Sequence, residues 1–540
     1  MEKVNDMEFD ITVKMQGNTL DMKLSGKLNY NTASEFDKEF ADLLNDVSEI
    51  RIDMSDLVYI SSFGIRSLIV AKRLADTKGV KLLIVSPSQP VTEVLEMTSM
   101  DKVIDIISPE DDNSTAALYP LRPIQRLMLD TQFMKARSTM MNTGALVSLE
   151  PAVDLHILAK VVDSVIEDND IFRCRFVIDD KSGEVFQRFD GAVKPVIVEE
   201  MTSEDFEKNK GCLRVPYEVI DHQLWNIRII RTPDTSYFFF DFFHGIMDGV
   251  AIVMIFLRDI NKRYTALTSK GEIGANIRHG SSYAAYIEDE MKKESEPQTE
   301  GTLFWDKMTA GFDPEKHLPP MDNKGGTGYG HDEFEVPVNT VKESFFQGKA
   351  VSEHSFFLGA AILTIAKMTH RQDVIMAWVH SGRTAKSDMK LMGIMLEEYP
   401  IHWDIEPGQT SSEFLNGIQN IVKESMVHRG SLSHVYNSGV EDNTACFILQ
   451  KGALGRRGEI KLGNTVAKGV PLLDSDKEQS SENTMDIELN VNDDKTYSLV
   501  MNYNSDCYSR EKMMQFTEIY CEMAAALQDE SCDLYELLGL

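Results

Sequence analysis

Apolar and polar positions along the first hundred residues open with two β-rich runs, FDITVKM and NTLDMKLSG, separated by the turn-prone pair Gly17-Asn18. This pattern predicts an early β-hairpin. NTASEFDKEFADLLND then sets Ala33, Phe36, Phe40, Leu43 and Leu44 at helical spacing. EIRIDM reads as a strand, SSFGIRSLIVAKRLADTKG as a helix, VKLLIVS as a strand, and PVTEVLEMTSM as a helix leading into VIDII. Two strands followed by alternating helix and strand predict a small α/β domain over residues 1–108, a mixed sheet with helices against it. The acidic, polar PEDDNST comes next, and residues 109–116 are expected to form a linker.

From YPLRPIQRLMLD onward the pattern changes scale. Strand-like runs (ALVSLEP, IRIIRT, SYFFFDFF, DVIMAWVH, SLVMNYN) alternate with helical ones (VDLHILAKVVDSVIED, SFFLGAAILTIAKMTH, SSEFLNGIQNIVKESM, REKMMQFTEIYCEMAAALQD), again an α/β pattern, over residues 117–540. Roughly 420 residues exceed one comfortable core. Two lobes are therefore expected, about 117–290 and 300–540, divided where KKESEPQTEG breaks the pattern. KGGTGYGHD and DSDKEQSSEN read as exposed loops. The near-continuous apolar run SYFFFDFF predicts a strand buried on both faces.

Composition narrows the function classes. With 42% hydrophobic and 26% charged residues in 540, the chain is an ordinary globular one. Its net charge of -31 repels nucleic acid and anionic membrane surfaces, so neither is an expected partner. Six scattered cysteines without CxxC spacing read as reduced thiols, with no disulfide and no zinc. No apolar run approaches the ~18 residues of a membrane span, and MEKVNDMEFDITVK lacks the basic-then-apolar order of a signal peptide. A cytoplasmic protein is expected. There is no G-x-S-x-G elbow and no HExxH, and GGTGYGHD lacks the spacing of a phosphate-binding loop. No metal and no tightly bound cofactor are expected.

Two places carry candidate chemistry. In YISSFGIRSL a strand pattern runs into Ser61 and Ser62 at the start of an amphipathic helix. The positive end of the helix dipole would accommodate a phosphate there, and simple N-capping is the other reading. In FFHGIMDG, His244 stands at the end of the apolar strand, with Asp248 four residues on and Gly249 after it. An imidazole in that place could take a proton from an amine or hydroxyl attacking a carbonyl. It could equally be a hydrogen-bonded core histidine. Asp248 could point back at the turn and, paired with an arginine, stiffen the histidine's mounting, while Gly249 would permit close backbone approach.

Both units resemble known families. GKLNYNTASEF, IDMSDLVYISSFGIRSLI and GVKLLIVSPSQPVTEVLEMTSMDKVIDI together resemble a STAS domain, the fold of anti-sigma factor antagonists, over residues 1–108. The resemblance implies phosphorylation at Ser62, two residues before Gly64, with a serine kinase and an anti-sigma factor as partners. Asn29 and Ser61 stand where family members often carry Asp. YPLRPIQRLM, DNDIFRCRF, FFHGIMDG, DVIMAWVHSGRT with its Gly-Arg pair, and MGIMLEEYP resemble, in order, motifs of the condensation domains of nonribosomal peptide synthetases, over residues 117–530.

That second resemblance implies a V-shaped pair of chloramphenicol-acetyltransferase-like lobes with the histidine in a tunnel between them. Donor and acceptor would enter from opposite mouths as phosphopantetheine-linked thioesters on carrier proteins, with acyl-CoA as the alternative donor; no adenylation or carrier domain is found in this chain. Carried onto the HHxxxDG motif, His244 is the catalytic second histidine, Asp248 the structural acid and Gly249 the closing glycine. Arg173 matches the arginine of the second motif and becomes the expected partner of Asp248. Departures are Phe243 for the first histidine, Asp168-Asn169-Asp170 for an Arg-His-Glu run, and Glu397-Glu398 for Asn-Thr. The implied function is an acyltransferase forming an amide or ester, regulated or recruited through the STAS unit. Two alternatives are a non-catalytic acyl or peptide sensor reporting through that unit, and a signalling antagonist in which only the STAS unit acts.

Overall fold

The computed structural model describes residues 9–540 apart from 17–18, 45–46, 99, 101–102, 108–116, 180–181, 275–276, 278–279, 295–298, 324–329, 338–339, 432–434, 436–443, 452–458, 473–484 and 493–494. The turn at Gly17-Asn18, the run PEDDNST and the run DSDKEQSSEN lie outside the described residues. The chain divides into two compact units, residues 1–116 and 117–540.

In the first unit, Asp10–Gln16 and Thr19–Leu28 pair antiparallel, and Glu49–Ile60, Lys81–Val85 and Asp105–Ile107 add in parallel in that order. Alternation along TLDMKLSGKL puts Leu20, Met22, Leu24 and Leu28 on the face covered by helices, where they meet Phe36 and Phe40 of the helix Ala33–Leu43 and Leu68 of the helix Ser62–Lys78. Glu49–Ile60 is twice as long as EIRIDM suggested, because register shifts between Lys23/Ser25 and Gly26/Lys27 let Thr19–Leu28 follow it to its end.

The second unit holds two six-stranded sheets and one small three-stranded sheet. The first large sheet runs in the order Val198–Glu200, Trp225–Arg231, Ser236–Phe243, Asn142–Leu149, Thr465–Val470, Glu459–Leu462. The second runs Gly330–Val336, Tyr497–Tyr503, Met485–Val491, Ala445–Lys451, Asp373–His380, Glu397–Asp404. Each large sheet has its own apolar core. The helix Leu155–Asp168 packs beside Leu257–Lys270 over the first core, and the helix Glu353–Thr369, buried from Ser355 to Ala366, runs through the second.

Two expectations are corrected. The division of lobes at about residue 290–300 is not a division in space, since Thr465–Val470 pairs with Asn142–Leu149 and so completes the first sheet from the far end of the chain. Residues 391, 392, 394 and 395 likewise pack in the first core. KGGTGYGHD is not wholly a loop, because Gly330, His331 and Asp332 begin an edge strand with polar residues outward and Phe334 and Val336 turned inward.

Half-buried His354 lies against Trp378 of the second core, ring centroids 4.8 Å apart, with the enclosed His354 Nε2 and Trp378 Nε1 both without a hydrogen bond. Burial, with repulsion from His380 and Lys451, pushes the His354 imidazole from its ordinary value near 6.5 down to about 3. Burial likewise lowers His244, His317 and His380. Below pH ~6.5 the unfolded chain binds protons that these folded imidazoles refuse, so stability is full above that pH and is lost as pH falls, by up to ~1.4 kcal/mol per pH unit for each such group. The urea midpoint is expected to drop between pH 7 and 4, and a His354→Phe chain, measured in the same titration, to show a shallower drop.

Candidate active site

Ser236–Phe243 is the central strand of the first sheet, between Trp225–Arg231 and Asn142–Leu149. Phe238, Phe240 and Phe242 enter the main core on one face, and Phe239 enters a smaller cluster with Leu146, Phe206, Leu213, Ile230 and Leu472 on the other. Burial on both sides is why the run is almost uninterruptedly apolar. Its one charged residue, Asp241, is 1% exposed and accepts from Asn142 Nδ2 at 2.6 Å, Arg214 Nε at 2.9 Å and the Tyr217 hydroxyl at 3.1 Å. Burial raises its carboxyl above the usual range, with the Arg214 charge as the main opposing influence.

The strand stops where backbone bonds redirect the chain. Phe243 N–H donates to Leu224 O at 2.9 Å, His244 N–H to Met141 O at 2.7 Å, and Ile246 N–H back to Phe243 O at 3.0 Å. Phe243 is wholly buried, its ring 6.0 Å from Phe176 and 6.2 Å from Tyr217. The residue in the place of a first histidine therefore belongs to the core. His244 is half-buried, with Nδ1 enclosed and without a hydrogen-bond partner. Burial holds its imidazole below the ordinary value, opposed by its own backbone, by the Asp248 carboxylate and by Met247. A neutral ring at pH 7 is a proton acceptor.

Asp248 is 2% exposed and uses both oxygens. Oδ1 accepts from Ala251 N–H at 2.7 Å, capping the helical segment that starts at Gly249. Oδ2 accepts from Arg383 Nη1 at 2.7 Å, Met395 N–H at 2.7 Å and Leu396 N–H at 3.2 Å. Gly249 is thus the first residue of a helix and does not adopt a left-handed conformation. Arg383 also donates to Ser381 O and Gly393 O. It follows Gly382, whose φ of +67° and whose distance of 1.7 Å from an added Cβ to Met395 O leave room for glycine alone.

The expected partnership of Arg173 with Asp248 is therefore wrong. Phe172 and Cys174 take the inward directions on either side of Arg173, which is left half-buried and donates to Glu167 O at 3.4 Å. The partner is Arg383, in the Gly-Arg pair after the strand DVIMAWVH. That pair was visible in the sequence, but the direction of its side chain was not.

The remaining departures prove to be mutually supporting. Asp168 pairs with the buried Arg263 at 2.6 Å. Asn169, 1% exposed, accepts from Ser281 N–H and hydroxyl, and Asp170 accepts from Tyr283 N–H at 2.7 Å and Ala284 N–H at 3.2 Å, fixing the start of the helix Tyr283–Glu294. From that helix Tyr283 donates its hydroxyl to Ile394 O at 2.6 Å. Glu397 is buried, with Oε1 accepting from Arg122 Nη2 at 2.8 Å and Arg429 Nη2 at 2.7 Å, and Oε2 from the Tyr399 hydroxyl. Glu398, its neighbour on the strand, is also buried.

Sequence reasoning missed Gln125, in YPLRPIQRLM. Fully buried, it donates from Nε2 to Gly245 O at 2.9 Å, inside the His244 turn, and exchanges a reciprocal pair of 3.0 Å bonds with the Gln187 carboxamide. Gln187 in turn donates to Pro120 O. Gln125 thus ties the opening segment to the His244 turn, and Arg122, three residues before it, ties the same segment to Ile394 and Glu397. Among the described residues no cluster of His, Cys, Asp or Glu could hold a metal, and no helix is long and apolar enough to cross a membrane.

In the first unit, Ser61 caps the helix Ser62–Lys78, its side chain accepting from Phe63 N–H at 3.3 Å. Ser62, the next residue, is exposed. Gly64 lies so close to Leu28 O and Ile60 that a Cβ would meet them at 2.8 and 2.7 Å.

Two six-stranded sheets and a histidine turn locked by an aspartate–arginine pair give the larger unit a two-sheet α/β fold that known structures share. The solved structures it resembles include the condensation domain from monacolin K polyketide synthase (TM-score 0.61, 17% identity, 78% of this chain and 100% of that one). They also include a mutant starter condensation domain of rhizomide synthetase in complex with C8-CoA and Leu-SNAC (0.60, 13%, 77% and 96%). The epimerization domain from the third module of tyrocidine synthetase B matches equally well (0.61, 13%, 77% and 98%). Residues 115–533 match the Condensation domain family, and the chain belongs to it. Residues 10–113 match the STAS domain family. Surfactin synthase subunit 1 of Bacillus subtilis (strain 168) is 22% identical over 60% of this chain, and Hybrid PKS-NRPS synthetase 1 of Dothistroma septosporum 21% over 76%. The chain spans only 9% and 11% of their lengths respectively.

Removing one partner of the buried Asp248–Arg383 pair should cost about 3–5 kcal/mol, while Arg173, with its single long contact, should matter by less than about 0.5 kcal/mol. Equilibrium urea unfolding of Asp248→Ala, Arg383→Gln and Arg173→Gln is expected to show that order.

Proposed function

We propose that residues 117–540 are an acyltransferase that joins an acyl thioester to an amine or alcohol, forming an amide or ester. The observation that carries this reading is a half-buried imidazole kept neutral by burial, on a turn held by Asp248, Arg383 and Gln125. With Nδ1 enclosed, Nε2 is the nitrogen available to the acceptor. It takes the proton as the acceptor's nitrogen or oxygen attacks the thioester carbonyl; the new C–N or C–O bond forms, the C–S bond breaks, and the proton leaves with the thiolate. The thioester is borne by phosphopantetheine on a separate carrier protein or by coenzyme A, and the reaction takes place in the cytoplasm.

Thiol release from acyl-CoA and acyl-pantetheine surrogates with mixed amine and alcohol acceptors tests this. His244→Ala is expected to lower it by about 10²–10⁴-fold, and a rate equal to wild type would remove the general-base role. Because burial lowers the imidazole, release should hold constant down to pH ~6.5 and fall only in more acid buffer. A bend well above pH ~6.5 would contradict the assignment.

The STAS unit would recruit or regulate the transferase through Ser62. Since Ser61 already occupies the cap, the Ser62 hydroxyl is free for a kinase and its phosphate would sit at the positive end of a helix of 17 residues. Phosphopeptide mapping of the chain from its native cells should find phosphate there, and its absence under every growth condition would leave the unit a docking module only.

A further inference from the structure

The segment Gly393–Glu397 is gripped at two points by groups that also touch the His244 turn or its support. Asp248, four residues from His244, holds its Met395 and Leu396 N–H groups. Arg122 holds its Ile394 carbonyl through Nη1 at 3.1 Å and its Glu397 carboxylate through Nη2 at 2.8 Å. One planar guanidinium spans both, a reach that an ammonium cannot reproduce. Arg122 also lies 5.5 Å from the Tyr286 ring centroid, and Tyr283 shares the Ile394 carbonyl with it.

The second route from Arg122 to the histidine is shorter still. Its backbone N–H donates to Gln125 Oε1 at 2.9 Å, and Gln125 Nε2 donates to Gly245 O. That carboxamide makes four bonds, two in each direction, so it can neither flip nor tilt without losing one. Glu397 keeps Arg122 in place and also takes Arg429, and Glu290, 3.8–3.9 Å from both arginines, balances the second positive charge.

We propose that Arg122 and Glu397 are positioning residues for His244. Their side chains hold the Gly393–Glu397 segment and through it the Asp248 carboxylate, while the Arg122 backbone N–H steadies Gln125 and through it the Gly245 carbonyl, so that the imidazole keeps one orientation. The Glu at position 397 and the Arg at 122 function as one unit: a carboxylate there has its cation from the opening motif. The catalytic consequence rests on His244 being the working base, while the structural coupling does not.

Hydrogen–deuterium exchange of the full chain, followed by peptide mass spectrometry, separates the two. In Glu397→Gln the peptides covering residues 242–249 and 391–398 should exchange ~10-fold faster, equivalent to ~1.4 kcal/mol of local opening. The helices Glu353–Thr369 and Arg510–Ala526 should keep their wild-type rates. Arg122→Lys, which retains the charge but loses the span, should show the same local pattern and decides the matter if Glu397→Gln does not fold. Breaking the exposed Arg510–Asp332 pair with Arg510→Gln serves as the control and should leave both peptides unchanged. Unaltered exchange at 242–249 in the folded variants, or a rise spread evenly over the chain, overturns the proposal.

If octanoyl-CoA is a substrate, both variants should lower kcat by ~10²-fold with KM little changed, as displacement of a reacting group does. A local exchange change in a chain whose wild type releases no thiol would leave the positioning role standing and remove the transferase reading instead.

Discussion

A carboxylate withdrawn from water must be matched by donors wherever it goes, and in this protein the carboxylate of Asp248 organises its surroundings on that ground. It draws in four: a guanidinium, two backbone N–H groups of the Gly393–Glu397 segment, and the third N–H of the helix it caps. Desolvation makes any vacancy among them costly. The aspartate therefore fixes at once where the His244 turn ends, where the following helix begins, how Arg383 leaves the strand Asp373–His380, and how the second sheet's last strand is entered. Histidine orientation is a by-product of electrostatic neutralisation.

The same rule accounts for the other buried acids. With 86 acidic residues the surface could hardly be other than negative, and most of those side chains are simply hydrated. Asp168, Asp170, Asp241 and Glu397 are different, each held by named cations or N–H groups. Substitutions that look like losses against the family motif, an acid for a basic residue at 168 or for an amide at 397, come with Arg263 and with Arg122 and Arg429.

How much of this could be read from the chain depends on the range over which each feature is encoded. Alternation in TLDMKLSGKL and continuity in SYFFFDFF are local, and so were their strands and burial. His244 and Asp248 sit four residues apart at the end of an apolar run, and their proximity was legible for the same reason. Which arginine met Asp248 was not, because Arg173 and Arg383 both stand in plausible motifs and only tertiary packing of Phe172 and Cys174 turns Arg173 away. Gln125 gave a weaker signal, one amide in an amphipathic helix, and Asp241 a better one, a single charge inside a buried strand. The strands Glu459–Leu462 and Thr465–Val470 are short and half polar, so nothing in their own residues says which sheet they join.

Those last two strands bear on how the protein comes to exist at all. Ser148 and the Lys468 carbonyl it bonds are 320 residues apart. At about 5–20 residues per second of synthesis, the strand Asn142–Leu149 waits roughly 15–60 s on the ribosome with one edge unsatisfied. An open strand edge is a template for pairing with another chain. Newborn copies on neighbouring ribosomes are thus exposed to one another for as long as the far strands are unmade, and the late hairpin, on arriving, seals the edge as well as finishing the sheet.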